Sequence, residues 1–306
     1  MAIIETRGLT KQYGQFTAVD DVSIRVEAGE IYGFLGLNGA GKTTTIRMLL
    51  GMIRPTSGEI QIAGERIRRG QPGPWNKIGY LVEVPFAYPE LTVQENIEIC
   101  RRLRGLTDRV ATNRIIEQLQ LGAYQHVRAQ NLSLGNAQRL GLAKALIHQP
   151  ELLIVDEPTN GLDPAGIVDI RELLREMVRQ RGTTVFISSH ILGEVARLAT
   201  RIGIIDKGVL LQELTVRQLE QLRKKRLCLQ FREPADSAHF LNRQGYQAQF
   251  TEGNMLAIED ERAVQWPESV VQSLVGAGHI PIRLGVEEED LESYFLRIIH
   301  QHNPKQ

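Results

Sequence analysis

The spacing of apolar positions changes period several times along this chain, and each change predicts an element. Ile3-Ile4-Glu5 opens a short strand, Val22-Ser-Ile-Arg-Val26 alternates with period two, and Gly29 predicts a turn before the unbroken apolar run at 31–35. Residues 43–51 follow with Ile46, Leu49 and Leu50 at helical spacing. Pro55-Thr-Ser-Gly58 predicts a turn, 59–63 a strand closed by Gly64, and 78–82 an apolar strand ending at Glu83. Pro85 and Pro89 break regular structure. A helix then begins near Thr92, with Glu95 at the capping-box position, and the pattern stays helical to about residue 128.

A further helix is predicted from about 132 to 148, stopped by Pro150. The short apolar strand Leu152-Leu-Ile-Val155 runs into Asp156-Glu157, 158–164 is a turn, 165–180 a helix and 183–188 a strand followed by His190. Strands alternating with helices predict an α/β domain over 1–215, interrupted by a helical insertion at about 84–150. Residues 216–225 read as a charged linker helix. Over 226–306 the predicted order is strand 227–231, helix 235–243, strands 246–250 and 255–258, helix 264–276, strand 280–284 and a last helix at about 288–300. This is a small α+β domain of the split-βαβ kind. A length of 306 residues suits two domains.

Chemistry enters at Gly36-Leu-Asn-Gly-Ala-Gly-Lys-Thr43, which fits the pattern of Gly, four residues, Gly, Lys, then Ser or Thr. Gly36, Gly39 and Gly41 let the backbone wrap a phosphate with its N–H groups inward, and the following helix aims its positive end at the same anion. Lys42 is placed to reach the β and γ phosphates and Thr43 to ligate Mg2+, so a nucleoside triphosphate is the expected ligand. Upstream, Tyr13 beside Gly14 is a ring able to stack on a purine, with Val19 completing the apolar contact; packing is an equally good explanation of that ring. Asp156 and Glu157 end a buried strand, where paired acids are costly unless they face a cation or ligand. His190 ends the next predicted strand at the same sheet edge. The cluster 287–290 sits where a helix begins, and the dipole suffices to explain it.

Composition mostly excludes. Lys plus Arg and Asp plus Glu number 36 each, so nothing in the net charge favours nucleic acid, and no nucleic-acid partner is expected. Hydrophobic residues make up 42% and charged residues 24%, a balance suited to a soluble globular protein with a substantial core. Cys100 and Cys228 have no CxxC partner and suit a reducing cytosol. The N-terminus lacks the pattern of a signal peptide, and no apolar run approaches the roughly 20 residues of a membrane span. A role at a membrane would therefore be that of a peripheral subunit.

The motifs together resemble the ATP-binding subunit of an ABC transporter, over roughly residues 1–215. The decisive stretch is Leu132-Ser-Leu-Gly-Asn136, similar to the ABC signature and lying between the helical insertion and the acidic strand. Val82-Glu-Val-Pro85, Pro158-Thr-Asn-Gly-Leu-Asp163 and Ser188-Ser-His190 also resemble the branch that energises antibiotic and multidrug exporters, nearest to bacitracin-type and lantibiotic-immunity ATPase subunits. Leu291-Glu-Ser-Tyr-Phe295 resembles the last helix of that branch's C-terminal appendage. The resemblance implies a P-loop ATPase fold with an antiparallel β subdomain and a helical insertion.

It also implies roles. Tyr13 would stack on adenine, while Gly36, Asn38, Gly39, Ala40, Gly41, Lys42, Thr43 and Thr44 would hold the phosphates. Thr43 and Asp156 would hold Mg2+, Glu157 would orient or deprotonate the attacking water, and His190 would contact the γ-phosphate. Ser133, Gly135 and Asn136 would cap the γ-phosphate bound by a second copy, which implies a head-to-tail homodimer with Asp163 in the coupling loop. Phe86 and Tyr88 would receive a polytopic membrane permease, placing the chain peripherally at the cytoplasmic face of the cell membrane. Export of an antibiotic-like peptide or amphiphile is the implied function; the alternative is a soluble ABC ATPase acting on ribosomes or DNA. Two positions depart from the commonest pattern. Glu83 stands where a glutamine usually meets Mg2+ and the transporter; it would join Thr43 and Asp156 in ligating the ion through its carboxylate, while adding negative charge near the γ-phosphate. Leu134 and Asn136 replace the usual Gly and Gln of the signature.

Overall fold

The computed structural model describes residues 1–83, 86–251 and 254–302. The chain divides into two compact units, Met1–Val216 and Arg217–Gln306. In the first unit the strands are β1 (Ala2–Tyr13), β2 (Phe16–Val22), β3 (Arg25–Glu27), β4 (Ile31–Leu35), β5 (Ser57–Ile62), β6 (Glu65–Arg66), β7 (Ile78–Leu81), β8 (Leu152–Asp156), β9 (Thr184–Ser189), β10 (Arg201–Asp206) and β11 (Val209–Thr215). The helices are α1 (Lys42–Leu49), α2 (Val93–Leu103), α3 (Ala111–Gln118), α4 (Leu134–Leu146), α5 (Pro164–Arg181) and α6 (Leu192–Leu198).

Two sheets organise this unit. An antiparallel sheet runs β2-β1-β5-β6, with β3 also paired to β1. The second runs β11-β10-β4-β9-β8-β7, parallel except for the β10–β11 hairpin. Strands β4, β8 and β9 are buried at every residue, as expected of parallel strands covered on both faces. Tyr32 and Phe186 stack there with ring centroids 5.5 Å apart. The register places Leu35 beside Ser189 and Asp156 beside Ser188, so β4, β8 and β9 end together at one edge. Ligands of open parallel sheets bind beyond such carboxyl ends.

The helical insertion is more broken than the apolar pattern predicts. Helix α2 carries the capping box: Glu95 N–H donates to Thr92 Oγ1 at 3.2 Å, and Thr92 N–H donates to the Glu95 carboxylate at 2.7 Å. Gly105, with φ of 66°, then turns the chain, and α3 begins at Ala111. Buried Asn96 is satisfied by the carbonyls of Tyr88, Leu91 and Thr92 and by the Tyr88 N–H. Pro85, expected to break regular structure, lies outside the described residues. No helix among the described residues is long and apolar enough to cross a membrane.

His148, in the turn just past α4, faces the Ile78 carbonyl at 3.0 Å, and burial together with the nearby Arg104 charge lowers its pKa from 6.5 to about 4. The unfolded chain therefore takes up a proton between pH 6.5 and 4 that the folded chain refuses. Stability is full above pH 6.5 and falls as pH drops towards 4, by about 1–2 kcal/mol once partial exposure is allowed for. His148→Gln is expected to flatten this stretch of the urea-midpoint-versus-pH curve; an unchanged slope would show that the histidine is not its source.

Helix α7 (Val216–Leu222) begins at the boundary, and the second unit continues with β12 (Lys225–Gln230), α8 (Pro234–Arg243), β13 (Ala248–Thr251), β14 (Met255–Ile258), α9 (Glu261–Gln265), α10 (Pro267–Gly276), β15 (Arg283–Glu288) and α11 (Leu291–His302). The antiparallel order β13-β14-β12-β15 is that of a split βαβ sheet. Helices α8, α9 and α10 cover one face, burying Leu227, Leu229, Leu256 and Ile258 against Leu241, Ala263, Val270 and Leu274. Several expected bounds shift. The helix expected over 216–225 ends at Leu222, because Lys225 and its neighbours pair with β15. The helix expected over 264–276 is two, because Pro267 has no N–H to continue α9 and instead starts α10. The strand expected at 280–284 lies at 283–288, where Glu287 and Glu288 face Arg226 and Lys225 of β12 at 3.5 and 3.2 Å. The acids at 287–290 thus do not open a helix together: two are strand residues, Glu289 pairs with Arg297 at 2.7 Å, and Asp290 accepts from the Ser293 N–H at 2.8 Å.

Candidate active site

The loop between β4 and α1 is built by close approach. A Cβ on Gly36 would stand 2.5 Å from the Ile205 carbonyl oxygen, and one on Gly41 would stand 2.6 Å from that of Ala18. Gly41 also has φ of 106°, so α1 starts from a residue that a side chain would strain. No side chain caps the helix, which leaves its first N–H groups and dipole free for an anion. Lys42 is buried; its Nζ donates to the carbonyls of Gly36 at 2.7 Å and Leu37 at 3.2 Å and lies 3.3 Å from the Glu157 carboxylate. Ala40 is buried and holds the loop through its N–H to the Leu37 carbonyl, while its own carbonyl accepts from Gly208.

The acids at the end of β8 meet this loop. Thr43 Oγ1 donates to Asp156 Oδ2 at 2.7 Å, and the Ser188 hydroxyl donates to Asp156 Oδ1. The Glu157 N–H donates to Ser188 Oγ at 3.0 Å, although Glu157 has φ of 49°, uncommon for a residue with a side chain. Its carboxylate reaches His190 Nδ1 at 3.1 Å. Lys42, Thr43, Asp156, Glu157 and His190 thus form one connected group, and Ser188 ties its two acids together. Nothing in the sequence around Ser188 assigns it a part in the site. Its part appears only when the β8–β9 register sets it beside Asp156.

A cavity of about 280 Å³ lies in front of the group, lined by Phe16, Ala18, Asn38, Gly39, Gly41, Lys42, Thr43, Thr44 and Glu157. The ring on this cavity is Phe16, 64% exposed. Tyr13, proposed from sequence as the stacking residue, pairs with Phe16 across the β1–β2 hairpin and carries Lys11 Nζ 4.8 Å from its ring centroid. No local pattern marks Phe16, whose place on the cavity is set by the β1–β2 pairing. Glu83 is exposed and meets Arg47 at 2.5 Å; its hydrogen-bond partner is that arginine, not Thr43 or Asp156.

Ser133, Gly135 and Asn136 do not line this cavity. They form the start of α4, where Ser133 Oγ accepts from the Asn136 N–H at 3.3 Å, and a Cβ on Gly135 would meet Leu162 at 3.3 Å. Asp163 caps α5, accepting from the Gly166 N–H at 3.0 Å. Phe86 and Tyr88 are exposed and pack edge-to-face at 5.5 Å. Phe86 borders a second cavity of about 320 Å³, with Tyr80, Cys100, Leu103 and Lys144. Burial pushes the Cys100 thiol pKa up and the Lys144 pKa down.

A glycine-wrapped anion site with a buried lysine, a threonine on an aspartate and a glutamate–histidine pair, all at the carboxyl edge of a mostly parallel sheet, defines a P-loop ATPase. The model of the ABC transporter family matches residues 19–160. The bacitracin transport ATP-binding protein BcrA of Bacillus licheniformis is 41% identical over 298 residues, 97% of each chain. The lantibiotic transport ATP-binding protein SrtF of Streptococcus pyogenes is 37% identical over 211 residues, covering 69% of this chain and 90% of that protein. Among solved structures, an ATP-binding subunit of an ABC transporter superposes with a TM-score of 0.66 at 29% identity, covering 72% of this chain and 92% of that chain. A dimeric bacterial ABC transporter cassette gives 0.64 at 25% identity, covering 70% and 99%. This chain belongs to the ATP-binding proteins of the ABC transporter family. It is an ATP-binding, ATP-hydrolysing subunit, of a kind that works as a dimer with a membrane permease.

Proposed function

We propose that this chain drives export of an antibiotic-like peptide or other amphiphile through a separate polytopic permease, docked peripherally at the cytoplasmic face of the membrane. The observation carrying the catalytic part is the contact of Glu157 with both Lys42 and His190 beside the phosphate cavity. Lys42 would neutralise charge on the transferred phosphoryl group, Glu157 would orient or deprotonate the water, and His190 would hold that carboxylate and meet the γ-phosphate. Gly36 to Thr44 would bind the phosphates, with Tyr13 and Phe16 on the base side. Thr43 and Asp156 are adjacent hard oxygen donors that suit Mg2+. Bound there, the ion would neutralise phosphate charge; Glu83, held by Arg47, has a weaker claim to it.

Because Ser133, Gly135 and Asn136 lie off their own cavity, they would complete the site of a second copy, in a head-to-tail two-fold dimer with Asp163 in the turn between the sites. The exposed Phe86–Tyr88 pair beside the 320 Å³ cavity would receive the permease. The two units are proposed as the ATPase domain and an accessory domain. Similarity to a bacitracin transport protein along nearly the whole chain favours antibiotic export over a ribosome- or DNA-bound role. The test is bacitracin susceptibility of cells expressing the chain with its genomic permease. Tolerance is expected to rise and to be lost with Lys42→Ala. No change in tolerance, with recovery of the chain on ribosomes or DNA instead, would sink the proposal.

A further inference from the structure

The C-terminal sheet ends on a strand with an unusual surface. Ile280, Ile282, Leu284 and Val286 are 70%, 60%, 49% and 42% exposed. Leu284 and Val286 lie two apart in β15 and share one of its faces; Ile280 and Ile282 precede the strand on either side of Pro281. Leu284 and Val286 pair with buried Leu229 and Leu227 of β12 and therefore lie on the face that α8, α9 and α10 cover further along the sheet. Strand β15 is the terminal strand, paired to β12 on one side only. It contains neither lysine nor proline, two of the usual protections of a free edge.

The strand is also complementary to itself. Run antiparallel to a second copy about Gly285, the sequence Arg283-Leu-Gly-Val-Glu287 sets Arg283 opposite Glu287, Leu284 opposite Val286 and Gly285 opposite itself. Glu287 already meets Arg226 on the β12 side at 3.5 Å, so the copy's arginine would extend an alternating row of charge. Arg283 has no ion-pair partner among the described residues. Leucine and valine would meet in the next row, continuous with Leu227 and Leu229 of each sheet. Sliding the register by two residues keeps Leu284 against itself but leaves Arg283 opposite glycine. Only the register about Gly285 satisfies both rows.

We propose that β15 is a homodimerisation edge: two copies join their four-stranded sheets through β15 about a two-fold axis at Gly285. The contact joins the second units and uses no nucleotide, so it is distinct from the ATP-closed two-fold dimer proposed for the first unit. It would keep two ATPase units tethered, raising their effective concentration when ATP is absent.

Sedimentation of the full chain in EDTA without nucleotide tests this apart from the ATPase reading. The chain is expected to sediment as a dimer at micromolar concentration. Arg283→Glu and Glu287→Arg are each expected to weaken it at least about 10-fold, since both place like charges opposite one another. Mixing the two variants restores two opposite pairs, so they are expected to dimerise with each other, and the double variant with itself. Leu284→Lys gives a second disruption without touching either charge. Urea midpoints within error of the parent would show that the variants fold. A chain monomeric without nucleotide at about 100 µM, single charge variants that dimerise as the parent does, or mixed variants that stay apart would each overturn the proposal. A parent that dimerises only with ATP would overturn it while leaving the head-to-tail ATPase dimer standing.

Discussion

Glu157→Gln is expected to retain ATP binding and to lower turnover by about 10²–10⁴-fold, the usual contribution of a positioned general base. The carboxylate is the point where the site's cation and its histidine converge, 3.3 Å from Lys42 Nζ and 3.1 Å from His190 Nδ1. An amide keeps the volume and one hydrogen-bond acceptor but cannot take a proton from water. The backbone of Glu157 is fixed independently of that change, through its N–H to Ser188 Oγ, so the loop should hold its left-handed turn. With binding intact and hydrolysis stopped, ATP should accumulate a long-lived dimer, visible as a shift in sedimentation that ADP does not cause. Turnover within about twofold of the parent would remove Glu157 from the role of base.

His190→Ala gives the companion measurement. If the histidine acts by holding Glu157, the two losses should be far from additive in the double variant. Ser188 belongs to the same chain of contacts but acts on both acids at once, through the Asp156 carboxylate and the Glu157 N–H.

The legibility of the site follows the distance along the chain over which its geometry is decided. The phosphate loop was readable because Gly36 to Thr43 are contiguous and the close approaches at Gly36 and Gly41 admit only one residue type. Asp156 and Glu157 were readable because two acids after four apolar residues are costly without a partner. Ser188 was not, since its hydrogen bonds depend on which residue of β8 it faces, and register is a property of two strands. The same reason accounts for Phe16, whose place at the cavity comes from the folding back of the β1–β2 hairpin. In the second unit, alternation set the strands, but β15 moved towards its acids because Lys225 and Arg226 of β12 neutralise them. Pro267 was a readable break that the apolar spacing of 264–276 concealed.

Lys42→Ala is expected to act one step earlier than Glu157→Gln, by removing nucleotide binding itself. The ammonium is buried and held over the loop by the Gly36 and Leu37 carbonyls, so its charge sits in a poorly screened place where a triphosphate would arrive. Truncating one partner of such a charge pair costs about 3 kcal/mol, on the order of 100-fold in Kd. The cost has a second source, because Glu157 loses the cation 3.3 Å away and then repels the phosphates it would otherwise face. Lys42→Arg should restore little. A planar guanidinium needs more width than a cradle closed by Gly36 and Leu37, whereas the ammonium is compact. Titration with a fluorescent ATP analogue, read beside turnover, separates the two variants: weak binding and weak turnover for Lys42→Ala, normal binding with turnover lowered about 10²–10⁴-fold for Glu157→Gln. The combination Lys42→Ala with Glu157→Gln should recover part of the lost affinity, since it also removes the repelling carboxylate. Equal Kd values for the parent and Lys42→Ala would mean that the glycine-wrapped backbone and the start of α1 hold the phosphates unaided.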